Sequence, residues 1–220
     1  MRICRTWRNI VLSTPQLWAG LCIRQGYKLK DSKAIDDWIA RAGALPLSLE
    51  LTHVNDCDGA TVERLLRYFT RWKAIHVYSS FLCQCTIDIL QRMKTPTRQS
   101  HLTDFRVICY HNEEYHAAPR ISAHLPSTFQ FTELYFGGNI YMEPILDGDP
   151  FTSMRELRIG SVPGAPSCFQ IIHQCPSLEV LEIACPSLRR PDTQQTTTRT
   201  LLKLHTFILS SDCITGLYLL

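Results

Sequence analysis

Ten cysteines and eight histidines are the residues of this 220-residue chain whose types could do nucleophilic or metal chemistry. Tetrahedral zinc is held by short, paired ligand spacings. Cys83-Gln84-Cys85 is C-x-C, and His111 and His116, with four residues between them, share a polar stretch with Glu113 and Glu114. Neither run has the required pairing. A thiolate nucleophile needs a histidine beside it in space, and no local pattern pairs one cysteine with one histidine. The chain contains no Walker loop, G-x-G-x-x-G, G-x-S-x-G or H-E-x-x-H, and Gly137-Gly138 is too isolated to cradle a phosphate. The expectation is a non-enzyme with no catalytic residue, no metal and no cofactor. Ten cysteines in 220 residues lie below the roughly 8–10% of a disulfide scaffold. Cys4, Cys109 and Cys175 fall inside apolar patterns, where a reduced thiol packs as a small hydrophobe.

Composition narrows the classes further. Hydrophobic residues make up 45% and charged residues 20%, enough for a sizeable core and unlike a disordered chain. Lysine and arginine exceed aspartate and glutamate by 23 − 20 = 3, and no basic stripe concentrates that excess, so nucleic acid is not an expected partner. Apolar runs such as Ile10-Val11-Leu12 and Leu217-Tyr218-Leu219-Leu220 fall far short of the ~20 residues that span a bilayer. Arg5, Arg8 and Asn9 interrupt any signal-peptide core. The expectation is an intracellular protein, cytoplasmic or nuclear, with no membrane partner.

The elements come from a repeat. Phe131, Leu134, Phe136 and Asn139 fit L-x-x-L-x-L-x-x-N with phenylalanine at two of the leucine positions. The same frame recurs at Trp72-Ile75-Val77, Leu102-Phe105-Val107, Met154-Leu157-Ile159, Leu178-Leu181-Ile183 and Leu204-Phe207-Leu209. From Trp72 onward the starts are separated by 30, 29, 23, 24 and 26 residues, near the period of leucine-rich repeats. Pro46 to Leu51 alternates with period two and is expected to open the array. Between the strands, Val62-Leu65-Leu66-Phe69, Ile87-Leu90-Met93 and Phe169-Ile172-Cys175 show helical spacing. Each strand–helix unit leaves an apolar flank that its neighbour must cover, so stacking builds one core. The expected fold class is α/β, a leucine-rich-repeat-like solenoid of parallel strands alternating with helices. Only Asn139 fills the asparagine position. His111–Thr128 and Arg189–Thr200 read as irregular connections, the second a polar loop.

The first eighteen residues differ in character. Cys4, Trp7 and Val11 share one helical face, Pro15 stops the helix, and Leu17-Trp18 adds a bulky apolar plug. The string Cys4-Arg5-Thr6-Trp7-Arg8-Asn9-Ile10, followed by Ser13-Thr14-Pro15-Gln16-Leu17-Trp18, resembles the second half of the motif in fungal F-box-like proteins. Trp38-Ile39-Ala40-Arg41-Ala42-Gly43 and Pro46-Leu47-Ser48-Leu49 are similar to the linker that joins that motif to leucine-rich repeats. The family's motif opens on an L-P-x-E-I helix absent here, so the resemblance is to an F-box truncated at its N-terminus. It implies a partial F-box-like helical segment over 1–30, a linker helix over 31–45 and degenerate repeats over 46–220. It further implies a substrate-recognition subunit of an SCF-type ubiquitin ligase. Cys4, Trp7, Ile10, Pro15, Leu17 and Trp18 would then bind a Skp-type adaptor, and the repeats a target protein. Two readings stay open beside it: a repeat scaffold with no ligase role, and an inactive truncated product.

In the strand frame, the residues between the apolar ones project onto the face expected to be concave. Asp104, Glu133 and Glu156 form one column. His76, Arg106, Tyr135, Arg158 and Glu182 form the next, and Tyr78 belongs to the same strip. Arginine and tyrosine are favoured interface anchors, which makes these nine the candidate target-binding residues.

Overall fold

A computed structural model of the chain describes residues 4–24, 33–53, 59–79, 84–94, 100–109, 120–126, 129–138, 141–147, 151–160, 173–184 and 201–210. The expected helical pattern at Phe169 and Ile172, the irregular stretches 111–119 and 189–200, Asn139, and the Cys83, His111 and His116 groups lie outside these residues.

The described residues fold as α/β, with an eight-stranded parallel sheet, helices between its first four strands and a separate two-stranded sheet. Helix α1 (Arg5–Leu12) and a short 3-10 turn (Pro15–Trp18) lead into β1 (Gly20–Arg24). Helix α2 (Lys33–Arg41) precedes β2 (Leu47–His53), α3 (Gly59–Leu66) precedes β3 (Trp72–Ser79), and α4 (Gln84–Met93) precedes β4 (Asp104–Cys109). Strands β5 (Arg120–Pro126), β6 (Glu133–Gly138), β7 (Tyr141–Asp147), β8 (Glu156–Ile159), β9 (Val180–Ala184) and β10 (Thr206–Ser210) follow. The main sheet has the order β1-β2-β3-β4-β6-β8-β9-β10, so successive units lie side by side without a reversal of order. Strands β5 and β7 pair with each other in a separate parallel ribbon, and β5 lies against α4.

Strand alternation explains which residues go inside. The inner row Leu49, Ile75, Phe105, Leu134, Leu157 and Leu181 is in register across β2 to β9, followed two residues on by Leu51, Val77, Val107, Phe136, Ile159 and Ile183. All twelve are buried in one core with Trp72, Leu102, Phe131, Met154 and Leu178, the first positions of each frame. Aromatic pairs fill the space between units. Phe129 stacks on Phe131 with ring centroids 5.2 Å apart and meets the edge of Phe69 at 6.2 Å.

The outer helices pack by i,i+3 and i,i+4 pairs: Ile35 with Ile39, and Val62 with Leu65. In α4 the buried set is Cys85, Thr86, Ile89, Leu90 and Met93. Ile87, expected on this face, is only half-buried, because the buried stripe is centred on Ile89. Asp36 ties α2 to α3 through the Arg64 guanidinium and the Tyr68 hydroxyl, which donates at 3.3 Å.

In place of an asparagine ladder, the backbone links the units where each strand begins. The N–H groups of Thr132 and Glu133 both donate to the Thr103 carbonyl, those of Arg155 and Glu156 to Thr132, those of Glu179 and Val180 to Arg155, and those of His205 and Thr206 to Glu179. The Thr132 hydroxyl adds a further bond to the Thr103 carbonyl at 3.1 Å. These bonds satisfy turn carbonyls that a buried loop would otherwise leave unpaired.

Three expectations need correction. The sheet opens at β1 and not at Pro46–Leu51: Gly20–Arg24 pairs in parallel with Ser48–Thr52, so part of the segment read as helical over 1–30 is a strand of the array. Trp18, Leu21 and Ile23 repeat the spacing of the frame and pack against the core. The stretch read as irregular up to Thr128 contains β5, whose seven residues pair with β7. Pro126 and Pro144 interrupt the strand pattern there, since proline cannot donate to a ladder. Cys4 is exposed, not buried, because α1 buries none of its residues; Cys109 and Cys175 are buried thiols as expected.

Candidate functional site

Two surfaces hold the candidate residues, and they arise from different elements. The first is the open face of the main sheet. Parallel pairing places Gly20, Ser48, Ala74, Asp104, Glu133, Glu156, Val180 and Thr206 in one column. Two residues further along, Cys22, Glu50, His76, Arg106, Tyr135, Arg158, Glu182 and Ile208 form the next. Tyr78 lies in the column beyond, paired with Ile108. The nine candidate residues therefore share one face. Gly20, Ser48, Cys22 and Glu50 join them as neighbours that the sequence frame, begun at Trp72, did not reach. The repeated spacing Trp18-x-x-Leu21-x-Ile23 is the signal that would have found Gly20 and Cys22, while Ser48 and Glu50 follow from the alternation of Pro46–Leu51.

Ion pairs order this face. His76 Nε2 lies 2.7 Å from Asp104 Oδ2, and Arg106 Nε donates to Asp104 Oδ1 at 3.0 Å. The other arm of Arg106 donates to Glu133. Burial pushes the Asp104 carboxyl up, but the hydrogen bonds and charges of His76 and Arg106 outweigh it and hold the group below the ordinary aspartate value of 3.8. Burial also works against the Arg106 cation, and the Asp104 and Glu133 carboxylates reverse this, raising its pKa. Further along, Arg158 bridges Glu156 and Glu182, each at 3.5 Å. Each arginine thus spans two carboxylates on neighbouring columns or strands. The His76 ring meets the Tyr78 ring edge-on at 6.5 Å. Tyr135 lies over Gly137: a Cβ placed there would sit 2.8 Å from the tyrosine hydroxyl oxygen. Gly137 thereby leaves the room that lets the phenol lie along the sheet between Arg106 and Arg158.

Beside the ion pairs the face dips. Gly20, Ser48 and Ala74 place three small side chains side by side, and the groove above them encloses about 590 Å³. Glu50, Asp104, Glu133, His76 and Lys73 line it. Glu50 accepts from the Cys22 thiol at 3.5 Å.

The second surface is α1 with the turn after it. Pro15 opens the 3-10 turn, a position that suits its fixed φ and missing N–H. Trp18 turns inward: its indole N–H donates to the Val11 carbonyl at 2.8 Å, its ring meets Trp38 of α2 edge-on at 4.8 Å, and the Arg41 guanidinium lies 4.6 Å from the ring centroid. Trp7, Leu17 and Ile10 instead face outward, 62%, 54% and 45% exposed. The structure so divides the six N-terminal candidates. Trp18 packs, Pro15 shapes the turn and is half-buried, Cys4 sits exposed ahead of the helix, and Trp7, Ile10 and Leu17 present apolar surface.

Among the described residues, no three histidine, cysteine, aspartate or glutamate side chains are grouped to hold a metal ion, and no helix is long and apolar enough to cross a membrane. No protein-family model, no curated protein and no solved structure matches this chain.

Proposed function

We propose that this chain is a non-catalytic protein-interaction module of the F-box-like, leucine-rich-repeat type. In this reading it is the substrate-recognition subunit of an SCF-type ubiquitin ligase, docking a Skp-type adaptor through α1 and a target protein on the open sheet face. The observation that carries the reading is the helix α1 itself. An eight-residue helix is too short to be stable alone in water, and this one buries none of its residues. It is held to the rest of the chain through Trp18 while Trp7, Ile10 and Leu17 remain uncovered. Large apolar side chains grouped on one exposed segment mark an interaction surface. The stacking of parallel strands in chain order, with helices α2, α3 and α4 preceding β2, β3 and β4, agrees with a solenoid of degenerate repeats.

The test is co-purification with a Skp-type adaptor. Trp7→Ala combined with Leu17→Ala removes apolar surface without touching the core, so folding stays intact and adaptor binding is expected to fall at least tenfold. Trp18→Ala serves as the contrasting variant, because it loosens the packing on α2. A folded chain that does not retain the adaptor, or retains it equally well with both outward residues removed, overturns the adaptor role.

A further inference from the structure

The open sheet face carries a charge opposite to that of the whole chain. The chain is formally +3. The two central columns bring five carboxylates, Glu50, Asp104, Glu133, Glu156 and Glu182, beside two guanidinium groups, Arg106 and Arg158, and the imidazole of His76. With His76 neutral, that is 2 − 5 = −3 over the two columns; Arg24 and Lys73 stand at their margins. Both central arginines are already engaged by two carboxylates each. Glu50 has no cationic partner among the described residues and meets only the Cys22 thiol. The capacity left over on this face is therefore acceptor capacity, and Glu50, which carries it, lines the groove.

We propose that the groove over β1, β2, β3, β4 and β6 docks an extended segment of the target protein bearing two lysine or arginine side chains. The inference rests on the reading of the sheet face as the target surface. Gly20, Ser48 and Ala74 supply the floor, a volume near 590 Å³ admits long side chains, and Glu50 on β2 and Glu133 on β6 both line it. Glu50 on β2 and Glu133 on β6 are three strand spacings apart and offset by two residues along the strands, roughly 16 Å in all. Four residues of extended polypeptide cover about 13 Å and return the side chain to the same face, and the long lysine or arginine side chains span the remainder. A pair of basic residues four positions apart thus matches the two carboxylates in both reach and direction. Complementary charge of this kind steers encounter and fixes register.

The test measures fluorescence anisotropy of a labelled peptide of serine and alanine with lysines four positions apart, against its glutamate counterpart and a version with the lysines adjacent. The expected result is binding of the spaced-lysine peptide at least tenfold tighter than either comparison. Glu50→Lys, at a half-buried position outside the ion-pair network, is expected to weaken it at least fivefold with an unchanged melting temperature. Equal binding of lysine and glutamate peptides, indifference to Glu50→Lys, or displacement by spermine as effective as by unlabelled peptide overturns the proposal. Adaptor binding is read separately at Trp7 and Leu17. If Trp7→Ala/Leu17→Ala abolishes adaptor capture while the peptide result is negative, only the inference about the groove falls.

Discussion

Asp104 is a residue on which burial and pairing oppose each other. Burial favours its neutral form, and the contacts to His76 and Arg106 win, so its pKa in the folded chain lies below that of the unfolded chain, about 3.9. A carboxyl shifted in that direction stabilises the fold above its unfolded pKa, and the contribution disappears as pH falls through the lower, folded value. Asp104→Asn is therefore expected to melt at a lower temperature than the parent at pH 7. It should also lose less further stability between pH 5 and 3, and thermal melts across that range check both statements. Tyr135 and Gly137 make a second residue-scale case. Gly137→Val would displace the phenol that now lies over the glycine, while the buried row beneath is untouched. Because Gly137 is buried and an added side chain would overpack against the phenol, the expected outcome is a destabilisation of about 1–3 kcal/mol. Altered near-ultraviolet circular dichroism of the tyrosine would accompany it.

At the scale of elements, α1 and α2 respond to change in opposite ways. Helix α1 contributes exposed apolar surface, so Trp7→Ala is expected to leave chemical denaturation within about 0.5 kcal/mol of the parent. Trp18 closes a small assembly of the Val11 carbonyl, Trp38 and Arg41, and Trp18→Ala is expected to cost on the order of 2 kcal/mol through lost aromatic area and the indole hydrogen bond. Urea titration of the two variants separates the roles. Helix α2 ends at Gly43, whose φ of +60° is the left-handed conformation that glycine adopts at a helix C-terminus. The Gly43 and Leu45 carbonyls then accept from Arg71, which carries the link to the unit of β3. Open space surrounds the position of a Cβ at Gly43, so the expected cost of Gly43→Ala is the backbone strain alone, about 1 kcal/mol.

Across the whole molecule, stability depends on neighbours covering one another. Phe105 is fully buried on β4 and meets Phe136 of β6 edge-on at 5.7 Å, so it joins two units. Phe105→Ala is expected to destabilise by about 3–5 kcal/mol, the range for aromatic truncation in a core. Because each unit contacts chiefly its neighbours, hydrogen exchange in Phe105→Ala should accelerate most in β3, β4 and β6 and least in β1. Equal acceleration in every strand would show that the array unfolds only as one cooperative block. On β10, the last strand in the sheet order, Phe207 is about half exposed, whereas its counterparts Leu181 on β9 and Leu157 on β8 are buried. Phe207→Ala is accordingly expected to cost far less than Phe105→Ala in the same urea titration.

Much of the fold was legible because strand parity is a strict rule: once Trp72-Ile75-Val77 and its successors set the frame, the inner and outer residues of β3 to β9 follow with no further information. That is why the alignment of Asp104, Glu133 and Glu156 follows from the sequence alone. The chain's own order also determined which strands are neighbours, since units of nearly equal length stack in sequence. Tertiary structure alone decided the rest. Whether Trp18 or Trp7 packs depends on Trp38 and Arg41, which lie 20 or more residues away and have no signature in the local pattern. The strand β1 was hidden because five residues after a helix and a proline turn have too few alternations to be told from a loop. The groove beside Glu50, which has no cationic partner among the described residues, depends on three small residues from three separate strands, Gly20, Ser48 and Ala74, coming into register. Periodicity assigns a residue to a face, but depth and charge balance on that face arise only from the side chains that neighbouring strands bring beside it.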